Sequence, residues 1–433
     1  MTSRRTRRVA SIAMLVATTT TAVVASTTAA TADTPRTGVL QTWGNTYGGL
    51  NTPANQYTTS LTAISARGQH GLGLSPEGGV VAWGDPTDGL TQIPASLSGH
   101  GVRAVSAGLR HDVVLTTDQR VIAWGDDTYG QVDVPAAIDN VPITAVSAGG
   151  VHTLVLDLNG DLLGWGDNSF GESKEPADLG SSKLAAIAAG GRHSLAIRAG
   201  GSVLAWGDNA SGQATVPTAV AAEQMVAIAA GTRHSLALNA SGQVFAWGDN
   251  SQGESTVPAA LVGERVVAIA AGNDVSIAAT AAGKVVAWGK NSTGQTNVNS
   301  SPSFMHDAIA VAAGDGFTAA VLTTTPAVAV QPQNTTVRLD SNGQGIGSLF
   351  ASPYGDNVSV QWEVSGDGLV FHSIPGATGN LYTQPVAVGS PVLYYRAVFT
   401  SPSGSALSNA ATVGWVFLPP PPLVNRDPGG RSR

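Results

Sequence analysis

Not one of the 433 residues is a cysteine. Disulfides, thiolate zinc sites and cysteine nucleophiles are thereby excluded, and the fold must rest on packing alone. Charge is sparse at 12%, and aromatics make up only 6%. Basic residues are the minority sign, 22 Lys and Arg against 29 Asp and Glu, for a net charge of −7. That balance argues against nucleic acid and anionic membrane as partners, since both are held by basic patches. Beyond the N-terminus no apolar run approaches the length of about 20 residues that a membrane-spanning helix needs. What is abundant is glycine, 53 residues, with many Ala, Val and Thr, a composition suited to β-strands joined by tight turns.

The first residues read as a processing signal. Arg4, Arg5, Arg7 and Arg8 precede an Ala/Val/Thr-rich run from Val9 to Ala25, and Ala30-Thr31-Ala32 supplies a small-residue cleavage site before Asp33. The expectation is a signal peptide over 1–32, a linker over 33–37 and a secreted mature chain, by either the general secretory or the twin-arginine route. Losing those four arginines leaves 18 basic against 29 acidic residues, a net of −11.

A repeat decides the architecture. Trp-Gly pairs begin at Trp43, Trp83, Trp124, Trp165, Trp206, Trp247 and Trp288, first 40 and then five times 41 residues apart. Around the pairs the pattern is an apolar strand, a "WGDN"-like turn, in most repeats Gly-Gln or Gly-Glu, a segment such as "QATVP", then "AIAAG" and "HSLAL". Four short strands in 41 residues make one propeller blade, with the Ala/Gly strand innermost where blades crowd and the tryptophan between blades. Seven Trp-Gly elements match seven small-residue strands. The chain opens on the outer half of a blade (Val39 to Pro53) and ends on an inner half (Ala308 to Thr324). The fold class expected is all-β, a seven-bladed β-propeller over 38–325 closed by one composite blade.

From Pro326 the period stops. "VSVQWEVSGDG" and "LYYRAVFTSPSGSALSNAATV" alternate apolar and polar residues and resemble bacterial immunoglobulin-like domains, which predicts a β-sandwich over 326–417. Trp362 is the expected core tryptophan. Tyr395-Arg396-Ala397 stands where antibody members have Tyr-x-Cys, and Phe350 is expected to fill the opposite sheet. A Pro-rich tail, 418–433, reads as disordered.

"AWGDNASGQATVP" with "AIAAGTRHSLALNASGQVFAWG" resembles the bacterial short form of the regulator of chromosome condensation repeat. Within that family the blade length, signal and permuted closure are similar to the propeller-type β-lactamase inhibitory proteins of soil actinobacteria. The resemblance implies binding of a protein by one propeller face, with aromatic residues just before the histidine position in the loop between the first two strands. Here those positions hold Gln69, Arg110, Val151, Arg192, Arg233, Asp274 and Gly316, so aromatic anchors are missing from that loop set. Uniform blades also lack the inserted wedge that guanine-nucleotide exchange would need.

Loops one and three of a blade share a face, which gathers Arg110, Arg192 and Arg233 with Asp85, Asp126, Asp167, Asp208 and Asp249. Tyr47, Tyr129 and Phe170 project from the second set. A rim of mixed charge with clustered aromatics suits a protein or glycan, although Asp-Asn after a strand is also ordinary turn chemistry. His70, His111, His152, His193 and His234 recur on five blades, too dispersed for one metal, and are expected to be structural, bonded to backbone. No nucleophile, acid/base pair or phosphate loop stands out, so neither cofactor nor metal is expected and the chain is read as non-enzymatic. The expected function is a secreted, monomeric binding scaffold for an extracellular protein or cell-envelope glycan. A β-lactamase-type inhibitor and a polysaccharide-acting enzyme are the alternatives.

Overall fold

A computed structural model describes residues 37–45, 60–298, 305–324, 327–354, 358–401 and 404–416. The chain divides into two compact units, the first ending at Thr323 and the second beginning at Thr324. No helix among the described residues is long and apolar enough to cross a membrane.

The first unit holds seven three-stranded antiparallel sheets. Blade 1 comprises Ala63–Arg67, His70–Leu74 and Val80–Gly84. Blades 2 to 6 repeat the order, their innermost strands being Val102–Ala107, Ile143–Ala148, Leu184–Ala189, Met225–Ala230 and Val266–Ala271. Blade 7 is composite. Met305–Ala313 and Phe317–Thr324 come from the end of the unit, and Val39–Gly44 from its beginning pairs with Phe317–Thr324 over six residues. The innermost strands pack one against the next around the whole ring, blade 7 returning to blade 1. Removing Val39–Gly44 leaves Phe317–Thr324 as a bare edge. Its deletion is therefore expected to replace the single cooperative melt of this unit by a broad early transition with aggregation. A deletion variant that melts like the parent would show that closure is dispensable.

The repeat predicts four strands per blade, and the structure has three. The "QATVP"-type segment follows the Trp-Gly strand as successive turns without joining the sheet. Its proline then leads into a single helical turn whose apolar residue (Leu97, Ile138, Val220 or Leu261) is buried.

Adjacent blades are held together by a repeated set of bonds. Tryptophan Nε1 donates to the carbonyl 34 residues earlier, on the preceding blade: Trp165 to Gln131, Trp206 to Glu172, Trp247 to Gln213 and Trp288 to Glu254, all at 2.9–3.0 Å. Ser65, Ser106 and Ser147 accept the backbone N–H of Ala107, Ala148 and Ala189 on the next blade. The histidines form a third set. Nε2 of His111, His152, His193 and His234 lies 2.9–3.0 Å from the hydroxyl of Thr153, Ser194, Ser235 and Ser276, one blade on. Each hydroxyl donates its own proton to a backbone carbonyl, so Nε2 must carry the imidazole proton. The backbone partner expected for these histidines is thus corrected to a side chain. Where a histidine follows, the glycine closing the inner strand has a reason: a Cβ on Gly190 or Gly231 would sit 2.3 Å from the imidazole of His193 or His234.

The second unit is a β-sandwich. One sheet contains Thr335–Arg338, Ala411–Val416, Leu393–Ser401, Ser359–Ser365 and His372–Ser373, and the other pairs Gln344–Phe350 with Leu381–Ala387. Trp362, Tyr395, Ala397 and Phe399 meet Leu349 and Val386 in its core. Phe350 does not fill that core. It is 48% exposed while Leu349 is 1% exposed, a one-residue difference that in a strand puts the side chain on the other face.

Candidate functional site

The loops between the first and second strands and those after the Trp-Gly strands meet at one end of the propeller. Backbone bonds tie them within each blade: Asp126, Asp167, Asp208 and Asp249 each donate N–H to the carbonyl of residue 110, 151, 192 or 233. At two seams the residue before the histidine position reaches the preceding blade's turn. Arg110 Nε bonds Asp88 at 2.8 Å, and the Arg192 guanidinium stands 5.6 Å from the ring centre of Phe170. Arg233 turns instead to Asp249 of its own blade at 2.8 Å.

The aspartates are committed to their own turns. Asp85, Asp126, Asp167, Asp208 and Asp249 each accept the N–H of the residue two positions on. Thr87, donating from both hydroxyl and backbone, holds the Asp85 carboxyl below its ordinary range. These groups shape the turn. Tyr47 lies outside the described residues.

Tyr129 and Phe170 are different. They occupy the same turn position on blades 2 and 3 and are 46% and 48% exposed. Their backbones are fixed from beneath by a side chain that the sequence reading passed over. Tyr129 N–H donates to buried Gln131, and Phe170 N–H to buried Glu172, at 2.8 Å. The visible signal was the Gly-Gln or Gly-Glu that recurs in five of the seven repeats, here the support of the rim. In blades 2 and 4 the glutamine amide also donates to the turn aspartate, Gln131 to Asp126 and Gln213 to Asp208. Glu172 can do so only when protonated. Burial raises its pKa, and the buried atoms Glu172 Oε1 and Asp167 Oδ2 have no partner. The Phe170 turn therefore stands on two adjoining carboxyl groups where its neighbours have an amide and a carboxylate.

The sequence reading missed a second residue, at the ring axis. Arg67 ends the inner strand of blade 1, in the register position where the other six blades have glycine (Gly108, Gly149, Gly190, Gly231, Gly272 and Gly314). It is 1% exposed and reaches across to blades 4 and 5, donating to the carbonyls of Ala189, Ala230 and Gly231 at 2.9–3.2 Å. Burial pushes its pKa down to about 10, which leaves it charged at neutral pH.

The Regulator of chromosome condensation (RCC1) repeat matches five segments: residues 102–131, 143–172, 185–213, 225–254 and 266–295. Each runs from an inner strand to the buried glutamine or glutamate that supports the rim turn. Residues 318–415 match a Domain of unknown function (DUF8696). No curated protein matches the chain. Among solved structures the chain is similar to human WBSCR16 (19% identity, TM-score 0.56, covering 67% of this chain and 100% of that one). It is also similar to Prp20p from Saccharomyces cerevisiae, described with its binding properties to Gsp1p and histones (18% identity, TM-score 0.55, 67% and 92% covered). A third is yeast RCC1 (Prp20) bound to Kap60 (18% identity, TM-score 0.55, 74% and 97% covered). Identities this low carry the fold alone: an RCC1-type propeller.

Proposed function

We propose that this chain is an exported, non-enzymatic recognition scaffold that grips an extracellular protein or cell-envelope glycan with the rim of blades 2 to 4. One observation carries the reading: Tyr129 and Phe170 stand half exposed on adjacent blades, with Arg192 over Phe170, at a position that is polar on the blades to either side (Asp88 and Ser211). Aromatic area flanked by arginine is the composition of an interface anchor, and rigid turns hold these side chains without ordering cost on binding. The RCC1 repeats support a binding role, since the similar Prp20 propeller is described with protein partners, namely Gsp1p, histones and Kap60. Export rests on the basic, then apolar, then small-residue order of 1–32. The C-terminal sandwich, read as immunoglobulin-like, serves in this proposal as a spacer.

Affinity capture from culture supernatant identifies the partner. Substituting Tyr129→Ala and Phe170→Ala together is expected to weaken its binding about 30-fold or more, the loss of roughly 2 kcal/mol that a hot spot carries. An unchanged affinity would remove the rim from consideration.

A further inference from the structure

At the opposite end of the strands, a three-residue turn joins the second and third strands of blades 1 to 6 and leans on the next blade. In five blades this turn ends in glycine: Gly78, Gly160, Gly201, Gly242 and Gly283, all with φ between 79° and 90°. Their carbonyls accept the N–H of Val102, Leu184, Met225, Val266 and Ala308 in the next inner strand, at 2.8–3.1 Å. The contact leaves no room for a side chain. A Cβ on any of the five would come within 2.3–3.0 Å of the neighbouring blade.

Blade 2 breaks the rule. Gln119 stands in the glycine position, at φ 68°, and no backbone bond joins it to Ile143 of blade 3. Across the same seam Asn140 adopts φ 67° where Gly99 and Gly263 stand in register. A Cβ at residue 119 cannot coexist with the close contact seen at the other seams, and here the seam gapes into a groove of about 960 Å³. Gln119 and Ile143 both line it, with Val121, Ile138 and Pro142 as an apolar floor. Asp118 is engaged by His100 and Arg120, each at 3.2 Å, whereas the exposed Asp139 carboxylate makes no ion pair. The other blades serve as an internal control: Ser98, Gly180, Ala221 and Val262 replace Asp139 in register.

We propose that this opened seam is a docking groove for an extended polypeptide segment carrying a basic side chain. At five seams the equivalent glycine carbonyl is taken by an inner-strand N–H; without that bond the carbonyl of the exposed Gln119 is left as an acceptor, while Ile143 itself is buried. A peptide N–H supplies the matching donor. The apolar floor takes a side chain, and Asp139 selects a cation. A glycan is disfavoured because no aromatic ring lines the groove to stack on a sugar. This site is independent of the rim, from which it is separated by the length of the strands.

The test uses the full chain with fluorescein-β-alanyl-Thr-Val-Lys-Val-Thr-amide, labelled at its N-terminus, its glutamate counterpart and chitotetraose. Gln119→Gly restores the residue of the other five seams. It is expected to raise Tm, to slow hydrogen exchange of the Ile143 amide at least tenfold, and to reduce lysine-peptide affinity by a similar factor. Asp139→Asn should keep the fold and erase the preference for lysine over glutamate. Unchanged peptide affinity in Gln119→Gly overturns the proposal, as does binding of chitotetraose in place of the peptides or Ile143 exchange that does not respond.

Discussion

Replacing Arg67 with alanine is expected to lower the unfolding free energy of the propeller unit by about 3 kcal/mol, from the buried carbonyls of Ala189 and Ala230 losing their donor at roughly 1–3 kcal/mol each, while Gly231 keeps the N–H of Gly191. Two effects oppose each other. A guanidinium at 1% exposure, bonded to three carbonyls and to no carboxylate, carries a large desolvation cost that its removal relieves. Against that, the variant orphans carbonyl bonds on two blades, empties the axis of the ring and cuts a tie from blade 1 to the blades facing it. The second group wins, because a cavity on the axis and unpaired carbonyls act together. Arg67→Met separates them by filling the space without donors. The expected order of Tm is parent, then methionine, then alanine. A methionine variant equal to the parent would mean that packing, not hydrogen bonding, is what the axis requires.

How much of this was legible in the sequence depends on whether a feature repeats. The 41-residue period prescribed seven blades, the small inner strands and the composite closing blade, since a strand begun near Val39 finds its partner only at the end of the unit. Packing between blades was legible too, because the tryptophan recurs. The "QATVP" segment alternates like a strand but turns instead, its hydrogen bonds running within its own turn rather than to the sheet. For the histidines the repeat held a clue that was read locally: the acceptor is the residue following the histidine one repeat later, a relation invisible within a single blade. The departures from the repeat were the harder part. Arg67 and Gln119 are each the lone side chain in a position otherwise glycine, and Arg67 brings a charge as well. Both were visible in an aligned repeat, yet their meaning depends on geometry, a ring axis in one case and a blade seam in the other. Phe350 and Leu349 differ by a choice of strand face that alternation alone left open.

Acid is expected to unfold the propeller unit steeply below pH 6.5. Burial, reinforced by the Arg67 charge or by neighbouring histidines, pushes the pKa of His111, His152 and His234 down to about 3, and His193 is displaced in the same direction. Above pH 6.5 these groups are neutral in both folded and unfolded chains and favour neither. As pH falls toward 3, the unfolded chain takes up protons that the folded ring cannot accept. Each histidine then removes about 1.4 kcal/mol of stability per pH unit. By pH 5 that amounts to roughly 2 kcal/mol per histidine, or about 6 kcal/mol from the three, within the range of total stability expected of a domain. The value at pH 5 requires only that the folded pKa lie well below 5. Asp112, whose pKa burial raises, works in the opposite direction, but it is one group against four. The check is Tm measured from pH 7.5 to 5 in the parent and in His152→Gln, whose amide keeps a donor for Ser194 without titrating. The variant should lose close to one proton from the pH dependence of unfolding. A parent Tm that stays level across this window would show that the folded ring accepts protons after all, and with them a second positive charge beside Arg67.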